Sequence, residues 1–286
     1  MKVMLTGAAG QLGRALQSGW RERWQLLVVP HAYLDITDEQ AVQRALAQLQ
    51  PDVIINAAAY TDVDGAEQEV EHAYAGNEQG PRHLARAAAA AGMQLIHVST
   101  DYVFDGALRR PYTERDAALP LSVYGASKRK GEQAVLFEMP EAIVLRTSGL
   151  YSEYGNNFVR AMLRAASPVH VVADQVTCPT SATDLAEAIV GLIRAGPKAE
   201  GLYHYSGATA LSWHDFAAAI FDAARRADPS YTRPELLPIS TTQYAAAAPR
   251  PAYSVLSCEK IAELGIVSKP LDESLPRVVR ALMHAW

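Results

Sequence analysis

Tyr124-Gly125-Ala126-Ser127-Lys128 sets a phenol and an ammonium four residues apart, which on a helix puts them on one face, one turn from each other. A free tyrosine ionises near pH ~10, and a neighbouring ammonium favours the phenolate by charge attraction. The pair is therefore a candidate general acid, Tyr124, tuned by Lys128. Y-x-x-x-K alone is a weak pattern that many surface helices contain, so its meaning depends on what accompanies it. A second group of hydroxyls closes the run Ile96-His97-Val98-Ser99-Thr100-Asp101-Tyr102. Either Ser99 or Thr100 could donate to a substrate carbonyl, or cap backbone groups instead. His97 is expected to point into the core.

Gly7-Ala8-Ala9-Gly10-Gln11-Leu12-Gly13 directly follows the apolar run Val3-Met4-Leu5 and precedes a helix-period stretch, Arg14 to Trp20. Strand, glycine turn and helix in that order are the context of a pyrophosphate site, where Gly lets the backbone approach the phosphates and N–H groups meet their charge. Gly7, Gly10, Gln11, Leu12 and Gly13 are thus the candidate dinucleotide residues, against the alternative of a tight turn with no ligand. The second candidate strand ends Val28-Val29-Pro30-His31, with neither an acid for a ribose 2′-OH nor an Arg for a 2′-phosphate, so NADPH and NADH both stand. A Ser-His-Asp hydrolase uses similar residue types, but no G-x-S-x-G elbow is present and the glycine turn would go unexplained.

These groups need elements to hold them. Lys2–Leu5, Leu26–Val29, Asp52–Asn56, Gln94–Ser99, Ala142–Thr147 and Val169–Ala173 read as short strands alternating with helical stretches, the pattern of βαβ units. Val53-Ile54-Ile55 is apolar throughout, as in a sheet covered on both faces. The expected fold is α/β: a Rossmann-type doubly wound parallel sheet over residues 1–150, with a smaller C-terminal substrate-binding lobe over 151–286 and some chain returning to the sheet. In that lobe prolines punctuate short elements, and Trp213–Arg226 is a good helix. Thr241–Pro251 reads as a mobile loop or a cover over a ligand.

The bulk properties exclude other classes. A formal charge of −5 over 286 residues argues against broad capture of nucleic acid. Cys178 and Cys258, the only two cysteines, have no disulfide or metal spacing, which suits a reducing, cytoplasmic setting. The chain enters its first strand with no cationic leader, and the Ala-rich stretch Leu84–Ala91 is interrupted by Arg86, far from the ~20 apolar residues of a membrane span. Neither a membrane nor a metal is expected.

The glycine spacing, G-x-x-G-x-x-G, resembles the short-chain dehydrogenases, and further motifs agree. Asn56-Ala57-Ala58-Ala59-Tyr60-Thr61, Ser99 to Gly106, Tyr124 to Lys128, Arg146-Thr147-Ser148, Asn157-Phe158, Ser212-Trp213 and Arg250-Pro251 together make nearly the whole chain similar to the dTDP-4-dehydrorhamnose reductase family. The resemblance implies reduction of a 4-keto nucleotide sugar by NADPH or NADH. It implies Tyr124 as proton donor, Lys128 as its tuner and ribose ligand, and Thr100 as carbonyl donor. Ala57, Ala58, Ala59, Tyr60 and Asn77 would lie along the cofactor, and Asp35-Ile36 would touch the adenine. For Asp35 the alternative is a residue flanking a helix start, because Thr37 to Gln40 reads as a capping box. Thr61, Asp101 and Tyr102 would line the sugar pocket, with Asn157 and Arg250 near the substrate diphosphate or nucleotide; for Arg250 the alternative is a solvated loop charge.

Departures bear on the substrate. The family has Trp after Arg146-Thr147-Ser148, whereas this chain has Gly149, which implies a wider pocket. Tyr253 and Ser257 replace polar residues near the expected nucleotide end. Ala15 stands where the family's metal-bridging Glu would be, so a monomer or weak homodimer with no metal bridge is expected. Other readings are a reductase of a different keto sugar, an epimerase that holds its cofactor through turnover, and a regulatory subunit that keeps the fold.

Overall fold

In β1 (Lys2–Thr6) Val3 and Leu5 point to one side and Met4 to the other, and all three are fully buried. Both faces of the sheet that holds this strand must therefore be covered. The computed structural model, which describes residues 1–284, shows how. After β1 come α1 (Gln11–Gly19), β2 (Gln25–Val28), α2 (Glu39–Leu49), β3 (Val53–Asn56) and α3 (Val70–Tyr74). A π turn at Ala75–Gln79 leads into α4 (Gly80–Ala90), followed by β4 (Gln94–Thr100), α5 (Val123–Glu138) and β5 (Ile143–Thr147). The chain continues through β6 (Leu150–Tyr151), α6 (Phe158–Leu163), β7 (Val169–Val172), β8 (Val176–Thr177), β9 (Thr180–Ser181) and α7 (Ala182–Ala195). It ends with β10 (Gly201–His204), β11 (Leu211–Ser212), α8 (Trp213–Ala227), β12 (Leu236–Ile239), α9 (Thr241–Tyr244), α10 (Glu259–Ala262) and α11 (Leu271–Met283).

Six strands form the main sheet in the order β10-β5-β4-β3-β1-β2, every neighbour parallel. One face packs on α1 and α7, the other on α2, α4 and α5. The fold is the doubly wound Rossmann type. Its strand order reverses at β1, which opens a crevice beyond the carboxyl ends of β1 and β3, where such sheets bind ligands. A separate core of α6, α8, α11 and β7 is built around Phe216, Phe221 and Leu275.

Several elements differ from the sequence reading. α1 begins at Gln11, not Arg14, because Gly10 is extended (φ −73°, ψ 173°) and the helix starts immediately after it. The strand read at Val169–Ala173 forms, but it pairs with β12 outside the main sheet. The sixth strand is β10, whose Gly-Leu-Tyr-His carries no β-branched run. α2 is capped by Asp38, whose carboxylate accepts from Ala41 N at 3.0 Å, so the Thr37 capping box does not form. The Thr241–Pro251 segment starts as a short helix with a true capping box, Ser240 and Gln243. Its Ala248 N is tied to Asp64 at 2.9 Å.

α5 packs against the π turn so closely that a Cβ on Gly131 would stand 1.9 Å from Asn77 O, and only glycine fits there. The same helix buries Glu132 completely. Arg146, 1% exposed on β5, grips that carboxylate with both Nε and Nη2 at 2.7 Å, and Ser99 Oγ and Arg129 add further donors. Removing one partner of such a pair strands a buried charge. Arg146→Met is therefore expected to lower stability by about 3–5 kcal/mol, read by urea denaturation, whereas pairing it with Glu132→Leu should recover much of the loss. Equal destabilisation in the single and double variants would refute this account.

Candidate functional site

A cleft of about 850 Å³ opens at the carboxyl edge of the sheet. Its walls hold Gly7 to Gly13, Ala57, Ala58, Ala59, Thr61, Thr100, Asp101, Tyr102, Tyr124, Lys128 and Asn157. One depression thus gathers the glycine turn and the Tyr/Lys pair. A groove of similar volume between α2 and α4 holds neither.

At the glycine end, Gly7 has φ +69°, and a Cβ there would lie 2.4 Å from the Ala57 carbonyl, so β1 and the β3 exit touch through backbone alone. Gly13 packs as closely: its Cβ would be 2.3 Å from Gly7 O. No side chain caps α1, which leaves the N–H groups of its first turn facing the cleft as an anion site. Thr147 Oγ1, at the end of β5, is buried without a partner and belongs to the cleft wall. Uncapped donors and an unsatisfied hydroxyl in one crevice fit a dinucleotide. The wall also contains Gly149, as the sequence placed it, and His31, Ser148, Phe158 and Trp213, to which the residue reading gave no role in the cleft. His31 follows the second strand and Ser148 the fifth, with Thr147 its last residue, so their position at strand ends was the available signal.

At the reacting end, Ser99 and Thr100 separate cleanly. Ser99 Oγ donates to Glu132 at 2.7 Å and is committed to the buried pair. Thr100 is in hydrogen-bond contact with the Tyr124 hydroxyl. Its own proton goes to Asp101 Oδ1 at 3.1 Å, and its oxygen accepts from Tyr102 N at 3.2 Å. The expectation that Lys128 draws Tyr124 down is not met. Lys128, 1% exposed, points its ammonium at Val98 O, 2.7 Å away. Burial pulls Lys128 down to about 8, opposed by nearby Glu132. Burial pushes Tyr124 up to about 12, assisted by the Asp101 charge and opposed by Thr100. The phenol is therefore fully protonated at neutral pH. Burial also moves Asp101 up to about 6.

Five of the sequence candidates lie outside the cleft wall. Asn77, fully buried, accepts from Tyr60 N at 2.9 Å and donates to Tyr60 O and Ser127 Oγ, each at 3.0 Å. It clamps the β3 exit, including Tyr60, to the helix that carries Tyr124. Asp35 accepts from Thr37 N at 2.9 Å and Thr37 Oγ1 at 2.8 Å, and Ile36 packs in the α2–α4 core. Arg250 makes a two-pronged pair with Asp64 at 2.7 and 3.1 Å and reaches Tyr102. That arginine is therefore not a free loop charge, and it lies outside the cleft wall. Asn157 lines the cleft, but its side chain caps α6 and donates to Ser152 O and Tyr154 O. His97 is buried as expected; its Nδ1 accepts from Asn56 Nδ2 at 3.0 Å, and burial holds it neutral, with nearby Lys128 acting the same way. Gly149 has φ +53°, with Pro179 Cα 3.1 Å from where a Cβ would be, so a tryptophan at this position would be strained.

Comparisons with known proteins place the chain in a family. The chain matches the family described as the RmlD substrate binding domain over residues 1–284. A dTDP-4-dehydrorhamnose reductase of Aggregatibacter actinomycetemcomitans is 44% identical over 269 residues, 91% of this chain and 92% of that protein. The crystal structure of a Clostridium acetobutylicum dTDP-4-dehydrorhamnose reductase superposes with a TM-score of 0.92 at 36% identity, covering 99% of this chain and all of that one. A Bacillus anthracis dTDP-4-dehydrorhamnose reductase in complex with NADP gives 0.90 at 37% identity, covering 100% and 99%.

The two glycines that a ligand and the fold use differently can be told apart. A methyl on Gly10 would meet only Gly7 O, at 3.4 Å, and otherwise enter open cleft. Gly10→Ala should therefore keep its melting temperature while binding NADPH roughly tenfold more weakly, about 1.4 kcal/mol by calorimetry. Gly13→Ala should instead lose about 1–3 kcal/mol of stability. The reverse pattern would contradict the assignment.

Proposed function

The chain belongs to the RmlD substrate binding domain family, and from that premise we propose that it reduces the 4-keto group of dTDP-4-dehydro-L-rhamnose to give dTDP-L-rhamnose. The observation that carries the reading is the joining, in one cleft, of the uncapped α1 terminus with the Thr100–Tyr124–Lys128 cluster. A nicotinamide dinucleotide, NADPH or NADH, supplies the hydride when bound. Gly7, Gly10, Gln11, Leu12, Gly13 and Ala57 to Ala59 would hold it. Tyr124 gives its phenolic proton to the carbonyl oxygen, which becomes the sugar hydroxyl. Thr100 turns its proton from Asp101 toward that oxygen, and Lys128 offers its remaining ammonium protons to the ribose. Thr61, Asp101 and Tyr102 form the sugar wall. Asn77, Tyr60 and Arg250 serve as braces behind it.

The first 150 residues would bind the dinucleotide and the remainder chiefly the sugar nucleotide, with β10 as the strand that returns. Among the described residues no helix is long and apolar enough to cross a membrane, which supports a cytoplasmic setting. Ala15 is 1% exposed against α7, which supports a monomer or weak homodimer with no bridging metal. Retention of Thr100, Tyr124 and Lys128 disfavours a purely regulatory role. Gly149 is the wall position at which this chain departs from the family pattern, so a different keto sugar is the alternative substrate.

NADPH and NADH oxidation with freshly made dTDP-4-dehydro-L-rhamnose tests this directly. Tyr124→Phe should lower turnover by about 10²–10⁴ with NADPH affinity within a few-fold of wild type. A variant that still turned over at the wild-type rate would remove Tyr124 as the acid, and no oxidation by the wild type would redirect the search to other keto sugars.

A further inference from the structure

We propose that Phe158 and Trp213 form the platform on which the pyrimidine base of the sugar nucleotide stacks. The inference rests on the reductase reading and extends it to the end of the substrate farthest from the ketone.

Both residues line the cleft, and neither belongs to the sheet. Phe158 is the first residue of α6 and Trp213 the first of α8, so both reach the cleft from the second lobe. Each follows directly on a side-chain cap. Asn157 Oδ1 accepts from Arg160 N at 3.2 Å, and Ser212 Oγ accepts from Asp215 N at 3.0 Å. A capped first turn fixes where its opening residue leaves the backbone.

The rings are also held from behind. Trp213 meets Phe158 edge-on, with centroids 4.8 Å apart and planes at 62°, and Phe158 lies nearly parallel to Phe216 at 5.4 Å and 21°. Phe216 is fully buried and rests on Tyr151, itself buried. Phe158 and Trp213 stay partly exposed. Two aromatic side chains are thus fixed at the cleft surface before any ligand arrives, so a flat ring can stack on them at little cost in side-chain entropy.

The sheet order separates the parts of the two ligands. The dinucleotide would place its pyrophosphate at the glycine turn after β1 and its reacting ring beside Thr100 and Tyr124, at the end of β4. In the order β10-β5-β4-β3-β1-β2 its adenine then lies on the opposite side, toward β2, where His31 is the wall residue. The aromatic pair is left to the substrate. The keto sugar must set its carbonyl at Tyr124, where Thr61, Thr100, Asp101 and Tyr102 offer hydroxyl and carboxyl partners to a ring that carries hydroxyls. Its nucleoside lies beyond a diphosphate, away from α5 and toward the lobe that supplies Phe158 and Trp213. The base is the part of that substrate with a π face, and base–aromatic stacking needs no particular hydrogen-bond partner.

The test uses fragments of the substrate at saturating NADPH. Calorimetry compares dTDP, UDP and inorganic pyrophosphate on the wild type, Trp213→Leu, Phe158→Leu and the conservative Trp213→Phe. Both dTDP and UDP should bind about tenfold or more weakly to Trp213→Leu, with pyrophosphate and NADPH affinities unchanged, and Trp213→Phe should recover most of the loss. Equal losses for dTDP and pyrophosphate would mark a packing role and overturn the proposal. Unchanged dTDP affinity in both leucine variants would overturn it too, as would a loss that appears only once the sugar is attached. The wild type gives a reading that requires no variant to fold: in saturation-transfer NMR the base H6 of dTDP should receive more saturation than the deoxyribose protons, and the reverse order would count against the platform. None of these readings needs turnover. Base-dependent binding in a protein that oxidises no NADPH would uphold the platform and remove the reductase reading. An active reductase that binds dTDP independently of both rings would remove only the platform.

Discussion

Helix α5 has to carry Tyr124, Lys128 and Glu132 on one inward face, and the surrounding structure answers to that constraint. Four-residue spacing stacks the three side chains over successive turns, and burying ionisable groups without partners costs several kcal/mol each. Each is therefore met by a group on the sheet: Tyr124 by Thr100, Lys128 by the Val98 carbonyl, and Glu132 by Arg146 and Ser99. Three of these partners are consecutive or nearly so at the end of β4. The register of α5 against β4 is thus fixed by polar matching as well as by apolar packing. The close approach of Gly131 to the π turn at Asn77 sets the helix at its depth.

The charges in this cluster also balance. Lys128 and Arg146 are its deeply buried cations, Glu132 and Asp101 its buried anions. Two histidines fill the remaining space without adding charge. His204 is brought down to about 3 by burial and by the Arg146 guanidinium. His97 is held neutral by burial, with Lys128 adding to the effect. A reaction centre that must keep a phenol protonated sits in an interior of no net charge.

How much of this was readable follows from the length scale of each interaction. The glycine turn, the Tyr/Lys spacing and five of the six main strands depend on neighbours in sequence, and the residues carry them openly. β10 escaped because Gly-Leu-Tyr-His has no pattern of its own; the sheet edge recruits it through Ile143 to Arg146. The suppression of Tyr124 ionisation was misread because the spacing shows that Lys128 is near, but not that its ammonium is spent on Val98 O and that burial outweighs it. Asn77 and Arg250 were recognisable as special types at special places. Their partners, Tyr60 and Asp64, lie 17 and 186 residues away, and only the folded chain shows that both act as braces.

The two ends of the cleft are therefore built on different principles. The dinucleotide end is mostly backbone: β1, its glycine turn and the β3 exit meet with no side chain between them, so any sequence that keeps those glycines keeps the shape. The other end is assembled in part from side chains that arrive late in the chain. Ser254 reaches Asp101, Arg250 reaches Asp64 and Tyr102, and the neighbouring Val255 carbonyl accepts from Tyr112 N at 2.8 Å. One segment, 248–256, thus touches Asp64 and two residues of the cleft wall, Asp101 and Tyr102. Substitutions there act on the part of the wall that holds Asp101 and Tyr102, while the glycine turn and the Tyr/Lys pair stay unchanged. Of the positions where this chain departs from the family pattern, Gly149 lies on the cleft wall, whereas Tyr253 packs against Phe104, Tyr112 and Leu256.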